Sequence, residues 1–324
     1  MYYIIVNPAS KTGKGKKLWA ELEPVLIEKK IEYKVLFSKK AGHVIYLVHE
    51  LCEHILSKSK EALLNLIVLG GDGTLNESLQ GITDFSRVRI GYIPTGSSND
   101  FARDMKYPKT PLECLNNILD CREPKIMDLG LLEYKKEAKS FSASTDNSTI
   151  GKRYFDVSCG IGYDAAICEE ALSSPIKKFL NHFGLGKLVY LIISLKQLIS
   201  TKNGDCTMTL DESNKIELPN FLFVASMIHQ YEGGGFMFCP NADYHDGVID
   251  ICAVSDISKF TVLKALPKAL KGKHFVYKGI EKYSASKITI ETANPCWVHT
   301  DGEIPANSTS ITLTCLKDTL QILG

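Results

Sequence analysis

Apolar positions in the first third of the chain gather into short runs: Tyr2 to Val6, Tyr33 to Phe37, Leu63 to Leu69 and Arg89 to Ile93. Amphipathic stretches of helical length separate them. That alternation predicts an open α/β sheet, wound on both faces. After Lys125-Ile126-Met127-Asp128 the texture changes to short strand-like segments between turn residues: Tyr154 to Ser158, Cys206 to Leu210, Phe221 to Ile228, Val248 to Val254 and Lys287 to Thr292. Helical patterns interrupt them from Ile176 to Ile199 and from Ser258 to Leu266, with Pro267 expected to end the second. The expected fold class is α/β, a doubly wound α/β domain over residues 1–128 and a second domain dominated by β-sheet over residues 129–311.

A length of 324 residues leaves room for two cores. The formal net charge of +1 excludes the strong cationic field of nucleic-acid binders, so an anionic ligand has to be held locally. Ten cysteines are scattered singly between Cys52 and Cys315 without a C-x-x-C pair, as expected of buried thiols in a reducing compartment. The N-terminus enters a strand pattern directly, without the features of a signal peptide, which predicts a cytoplasmic protein. The apolar run Leu188 to Ile199 is interrupted by Ser194, Lys196 and Gln197 and falls short of the ~20 residues a transmembrane helix needs.

Three strand ends carry the chemistry. Leu64 to Leu69 leads into Gly70-Gly71-Asp72-Gly73-Thr74, with Leu75-Asn76-Glu77 at the head of a helical pattern. Glycines let backbone N–H groups approach phosphate oxygens, and a helix N-terminus adds partial positive charge. An isolated G-G-x-G is equally well a tight turn with an Asp cap. The next strand opens into Pro94-Thr95-Gly96-Ser97-Ser98-Asn99-Asp100-Phe101-Ala102-Arg103. Carboxyl ends of neighbouring strands line one crevice, so Asp72 and Asn99-Asp100 are expected to face one ligand. The first strand ends in Asn7-Pro8-Ala9-Ser10-Lys11-Thr12-Gly13-Lys14, and no segment fits the G-x-x-x-x-G-K-[ST] pattern of P-loop enzymes.

In order and spacing these three segments resemble the diacylglycerol kinase catalytic domain and its bacterial lipid kinase relatives, with sphingosine and ceramide kinases sharing the pattern. The resemblance continues through Gly160-Ile161-Gly162-Tyr163-Asp164-Ala165, Gly233-Gly234-Gly235 with Pro240, Asp246-Gly247 and Asp301-Gly302-Glu303. Gly70 to Thr74 and Asn76-Glu77 are shared with NAD kinases; Asn99-Asp100-Phe101-Ala102 and the last motif are not. Lys11-Thr12 stands where the family places glycine directly after the serine, and Thr95-Gly96-Ser97-Ser98 departs from the usual second loop while staying small and polar.

The resemblance implies an ATP- and Mg²⁺-dependent lipid kinase that phosphorylates a diacylglycerol-like hydroxyl, giving a phospholipid such as phosphatidic acid. The N-terminal domain then binds the nucleotide, the β-rich domain binds the lipid, and residues 312–324 pack back on the first domain. ATP contacts fall on Asn7, Ser10, Lys14, Ser38, Gly70, Gly71, Asp72, Gly73, Thr74, Asn76, Glu77, Thr95, Gly96, Ser97, Asn99 and Asp100. Asp72 and Asp100 are implied to organise catalytic Mg²⁺ through water. Asp243, Asp246 and Val248 are implied to hold a structural Mg²⁺, although an Asp-Gly turn has the same spacing. The base is one of the carboxylates of Asp301-Gly302-Glu303, with Asp301 preferred.

His49 and His54 stand five positions apart, about 140° around a helix, which argues against zinc. Lys177-Lys178 beside Phe179-Leu180 and Phe183 is a candidate contact with anionic lipid, and the partner expected is a bilayer surface rather than nucleic acid. NAD kinase-type transfer and a sphingoid acceptor stand as alternatives. The identity of the lipid and the oligomeric state, a homodimer included, stay unread.

Overall fold

The computed structural model describes residues 1–135, 150–173, 186–200 and 204–324. Four parallel strands open the chain: β1 (Tyr2–Val6), β2 (Tyr33–Phe37), β3 (Leu64–Gly70) and β4 (Val88–Pro94), in the spatial order β4-β3-β1-β2. Val6 pairs with Phe37 and Leu69, and Gly70 with Pro94, so all four strands end along one edge. The loops that follow therefore meet.

Helices α2 (Gly15–Glu28) and α6 (Pro111–Asp120) cover one face, where Trp19, Leu22, Leu26 and Leu115 pack on Ile4, Val6, Ile67 and Leu69. Helices α3 (His43–Leu56) and α4 (Asp72–Gly81) cover the other, where Val48, Leu51, Leu75 and Leu79 pack on Ile5, Leu66 and Val68. Burial on both faces makes β1, β3 and β4 largely apolar, whereas the edge strand β2 is only partly buried. Two short helices, α1 (Ser10–Gly13) and α5 (Asp100–Asp104), sit in the strand-end loops.

The rest of the chain is mainly antiparallel: β5 (Lys125–Lys135), β6 (Ile150–Phe155), β7 (Ser158–Gly162), β8 (Gly204–Leu210), β9 (Asn214–Phe221), β10 (Phe223–Met227), β11 (Ile249–Val254), β12 (Ile280–Ala285), β13 (Lys287–Thr300) and β14 (Glu303–Leu323). Phe155, Ile161, Met208, Ile251, Ile290 and Leu313 contribute to its core. β14 is the seam between the two parts. It pairs antiparallel with β13 and β5, and its last residues, Gln321–Leu323, run parallel to β4.

Two expected strands are each split. Tyr154 to Ser158 spans the end of β6 and the start of β7, and Phe221 to Ile228 spans β9 and β10. The first break, at Asp156-Val157, turns backbone amides toward the site. Helices α7 (Tyr163–Ser173), α8 (Gly186–Ser200) and α9 (Lys259–Ala269) complete the described elements. Contrary to expectation, α9 runs through Pro267 to Ala269: Ser258 caps it by accepting the Thr261 N–H, and the proline forgoes one amide bond in the last turn only. Lys177, Lys178, Phe179, Leu180 and Phe183 lie outside the described residues. Among the described residues no helix is long and apolar enough to cross a membrane.

Candidate active site

The three N-terminal loops are bonded to one another before any ligand is considered. Asn7 Nδ2 donates to Thr74 Oγ1 at 2.9 Å, the Thr95 N–H to Gly70 O at 2.7 Å, and Thr95 Oγ1 to Ser10 Oγ at 2.9 Å. Buried Ser38 gives its N–H to Val6 O at 2.9 Å, at the end of β2 beside this junction. Gly71 and Gly96 meet back to back: a Cβ on Gly96 would stand 2.9 Å from Gly71 Cα, which explains glycine at both positions. Asn99, at φ 49°, folds its carboxamide onto the N–H and C=O of Gly96 at 2.9 and 3.0 Å and locks the second loop. Lys14 and Ser97 are exposed at the rim.

Asp72 bridges the loops, its Oδ2 accepting the Asn99 N–H at 2.8 Å. Burial, with the nearby Asp100 charge, pushes its carboxyl up to about 7. Burial likewise raises Asp100, whose Oδ2 accepts the Gly234 N–H at 2.8 Å. Its Oδ1 is buried without a hydrogen-bond partner, the Arg103 guanidinium standing off at 3.7 Å. An orphaned carboxylate oxygen beside a second desolvated acid is the donor set a hard divalent cation satisfies, so Asp72 and Asp100 fit Mg²⁺.

The turn between β13 and β14 brings the other two carboxylates, in contrasting states. Asp301 Oδ1 accepts the N–H groups of Val157 and Ser158 at 3.0 and 2.9 Å, while Oδ2 accepts the Asp156 N–H at 3.1 Å and Asn76 Nδ2 at 2.7 Å. Four donors use the lone-pair sites of one carboxylate. Glu303 Oε1 reaches the loop after β3: it lies 2.8 Å from where a Cβ on Gly73 would stand. The geometry thus bonds Asp301, the carboxylate preferred from sequence, into the scaffold and brings Glu303 to the loop at Gly73.

Two of the expected ATP contacts are committed elsewhere. Buried Asn76 donates to Asp301 and to Tyr154 O, and its Oδ1 accepts Arg153 Nη2 at 2.5 Å. Glu77 turns away and accepts the Gly42 and Val44 N–H groups at 2.8 and 3.2 Å, capping α3. In the loop before β11, Asp243 and Asp246 accept the N–H groups of His245 and Val248 at 3.1 Å each, the Asx-turn pattern. Burial, together with the Asp246 and Asp243 charges, pushes nearby Asp250 up to about 6.

Sequence reasoning passed over several residues that build the site. Arg153 joins Asn76 to Thr300 Oγ1, at 2.9 Å from its Nε, and so ties α4 to the acid turn. Asp156 is fully buried, held well above the carboxylate range by burial and by Asp301. Asp128 accepts the Gly247 and Asp318 N–H groups at 2.7 and 2.9 Å and moors the 243–248 loop. Asp104 holds buried His229 at 2.7 Å. The available signal was a charged residue inside an apolar strand, at Asp128 and Asp156.

The chain matches two family models: residues 1–131 match the diacylglycerol kinase catalytic domain, and residues 158–324 the YegS C-terminal NAD kinase beta sandwich-like domain. It is 26% identical over 308 residues to the Bacillus subtilis protein named "Putative lipid kinase YtlR", covering 94% of this chain and 93% of that one. A Staphylococcus carnosus diacylglycerol kinase is 27% identical over 317 residues, covering 94% and 90%. A crystal structure of a diacylglycerol kinase from Bacillus anthracis superposes with a TM-score of 0.69 at 23% identity, covering 99% and 96%, and shares the mixed α/β fold with its β-rich second part. Both halves of the chain thus find their counterparts in one family, and the protein belongs to the diacylglycerol kinase-like lipid kinases.

Proposed function

We propose that the protein transfers the γ-phosphoryl group of ATP, with Mg²⁺, to the hydroxyl of a diacylglycerol-like membrane lipid. The observation that carries this reading is the convergence on one cleft of two interlocked glycine loops, bridged by Asp72, with Glu303 standing over Gly73. Phosphoryl transfer asks a protein for positioning and charge stabilisation, and a base on the attacking hydroxyl.

The N–H groups at the start of α4 supply fixed donors for nucleotide phosphates. Ser10, Ser38, Thr95 and Ser97 edge the same crevice, and Lys14 offers a mobile positive charge at its rim. Asp72 and Asp100 hold the Mg²⁺, which when bound neutralises phosphate charge as it develops. Glu303 takes the lipid hydroxyl proton at a carboxylate oxygen, and Asp301 holds the turn that aims it. A structural cation held by Asp243, Asp246 and the Val248 carbonyl would offset the crowding of carboxylates that raises Asp250. All ten cysteines are free thiols, in keeping with a reducing cytosol. The lipid is met at the bilayer surface.

The test is transfer of labelled phosphate from ATP in mixed micelles, with diacylglycerol, sphingosine and NAD offered in parallel and each product identified by mass. A phosphorylated diacylglycerol that requires Mg²⁺ is expected. A phosphorylated NAD and no lipid product would overturn the reading.

A further inference from the structure

Away from the nucleotide loops, three residues from distant parts of the sequence meet in the β-rich half: Asp164 in the first turn of α7, Glu232 in the loop after β10, and His299 on β13. His299 Nε2 stands 3.4 Å from Asp164 Oδ2 and 3.1 Å from Glu232 Oε1, and the ligand atoms of the three all lie within 4.8 Å of one another. These are ion-pair contacts, and none of them has the geometry of a hydrogen bond. His299 Nε2, Asp164 Oδ2 and Glu232 Oε2 are all buried without a hydrogen-bond partner, in a side chain that is 0% exposed for His299. His299 Nε2 and Asp164 Oδ2 thus face each other unsatisfied, with Glu232 Oε1 beside them and its Oε2 also buried without a partner, and orphaned polar groups in an interior are destabilising unless something joins them.

The spacing matches a missing centre. Two ligands each about 2.1 Å from one ion are about 3.0 Å apart at an octahedral right angle and about 3.4 Å apart in a tetrahedron. The ring nitrogen and the two carboxylate oxygens stand at 3.1 and 3.4 Å. Charge points the same way, because two buried carboxylates with a single imidazolium leave a net negative charge in the interior, whereas a divalent ion with a neutral ring leaves none. The chain also reserves the space: a Cβ on Gly160 would overlap both Asp164 Oδ2 and His299 Nε2.

We propose that Asp164, Glu232 and His299 form a binding site for a first-row divalent transition ion such as Zn²⁺ or Mn²⁺, distinct from the Mg²⁺ at Asp72 and Asp100. One imidazole with two carboxylates suits these ions better than Mg²⁺ or Ca²⁺, which prefer all-oxygen sets. Loading requires the ring to carry its proton on Nδ1, where the Gly302 N–H approaches at 3.4 Å, and that long contact is given up. The ion would clasp three elements around the cleft. The 231–236 loop gives the Gly234 N–H to Asp100, and His299 lies two residues before Asp301. Its role is to fix the acid turn against that loop.

The experiment is metal analysis and Co²⁺ titration of the full chain, stripped with chelator and then dialysed. One tightly held equivalent of Zn²⁺ or Mn²⁺ is expected to persist in excess Mg²⁺, with Co²⁺ giving the intense visible absorption of a low-symmetry, nitrogen-containing site. Glu232→Gln and His299→Asn are expected to lose that equivalent, while Asp72→Asn keeps it. Should a variant fail to fold, the ¹⁵N shift of His299 Nε2 in the wild-type chain, with and without Zn²⁺, decides by the same criterion. Absence of a bound equivalent, a Co²⁺ spectrum of the free aqueous ion, or an unmoved Nε2 resonance would overturn the site. None of these readouts depends on kinase activity.

Discussion

The loops after β3 and β4 and the turn between β13 and β14 both bring carboxylates to one cleft, but they are held in opposite ways. Asp72 and Asp100 are desolvated, the one pushed up to about 7 by burial and the other left with an orphaned oxygen. Asp301 is saturated by four donors from the break after β6, from β7 and from α4, and it lends its rigidity to Glu303 two residues on. Unsatisfied charge marks where a ligand belongs, and satisfied charge marks what holds the site in place. Aspartates of equal appearance in sequence thus differ in how far the fold satisfies them: Asp100 keeps an orphaned oxygen, whereas the lone pairs of Asp301 are used by four donors.

The contrast breaks most visibly at Asp301. Asp301→Ala leaves three backbone N–H groups and the Asn76 carboxamide without their acceptor, at an expected cost on the order of 3–5 kcal/mol. Denaturant unfolding should show a lower midpoint, and activity should fall only because the turn is lost. Asp72→Asn should do the reverse. It keeps an acceptor for the Asn99 N–H, so the unfolding midpoint should hold, while labelled-phosphate transfer drops by roughly 10²- to 10³-fold.

Smaller effects sharpen the same comparison. Gly96→Ala forces the two glycine loops apart, because the added Cβ meets the Gly71 backbone at 2.9 Å. A loss of about 1–3 kcal/mol is expected, read as a lower melting temperature with weakened ATP binding. The smallest effect is a pH dependence in Mg²⁺-free protein. A carboxyl raised from 3.8 to about 7 on folding contributes stability that is complete below pH 3.8 and is lost as the pH rises toward 7, because the folded state binds the extra proton. Stability should therefore decline across that window, Asp72→Asn should flatten the decline, and Mg²⁺ added above pH 7 should restore part of the loss. A decline unchanged in the variant would assign it to another group.

Legibility followed the distance over which each feature is built. Gly70 to Thr74 and Thr95 to Asp100 are local designs: a strand, a turn and a helix start, with glycines where two backbones touch, and their residues announce this within a few positions. The central parallel strands β1, β3 and β4 were equally plain, since burial on both faces makes each largely apolar. The acid turn was visible as a motif, but the division of labour within it was not. Asp301 takes its partners from residues 76 and 156–158, and nothing near residue 301 records that pairing. Glu77 shows the same long-range pairing from the other side. It follows the Gly70 to Thr74 motif directly on α4, yet its carboxylate serves the N-terminus of α3, more than thirty positions earlier. Pro267 misled because proline restricts a helix by its missing N–H, and in the last turn of α9 that loss is small.

The most direct measurement is kcat of Glu303→Gln at saturating ATP and lipid, with the melting temperature recorded on the same preparation. If Glu303 accepts the hydroxyl proton, kcat should fall by about 10²- to 10⁴-fold while the melting temperature stays at the wild-type value, since the amide keeps the size of the side chain and the Asp301 network is untouched. A variant that retains kcat within a few-fold of wild type would contradict the account and return the role of base to Asp301 or to a group outside the turn.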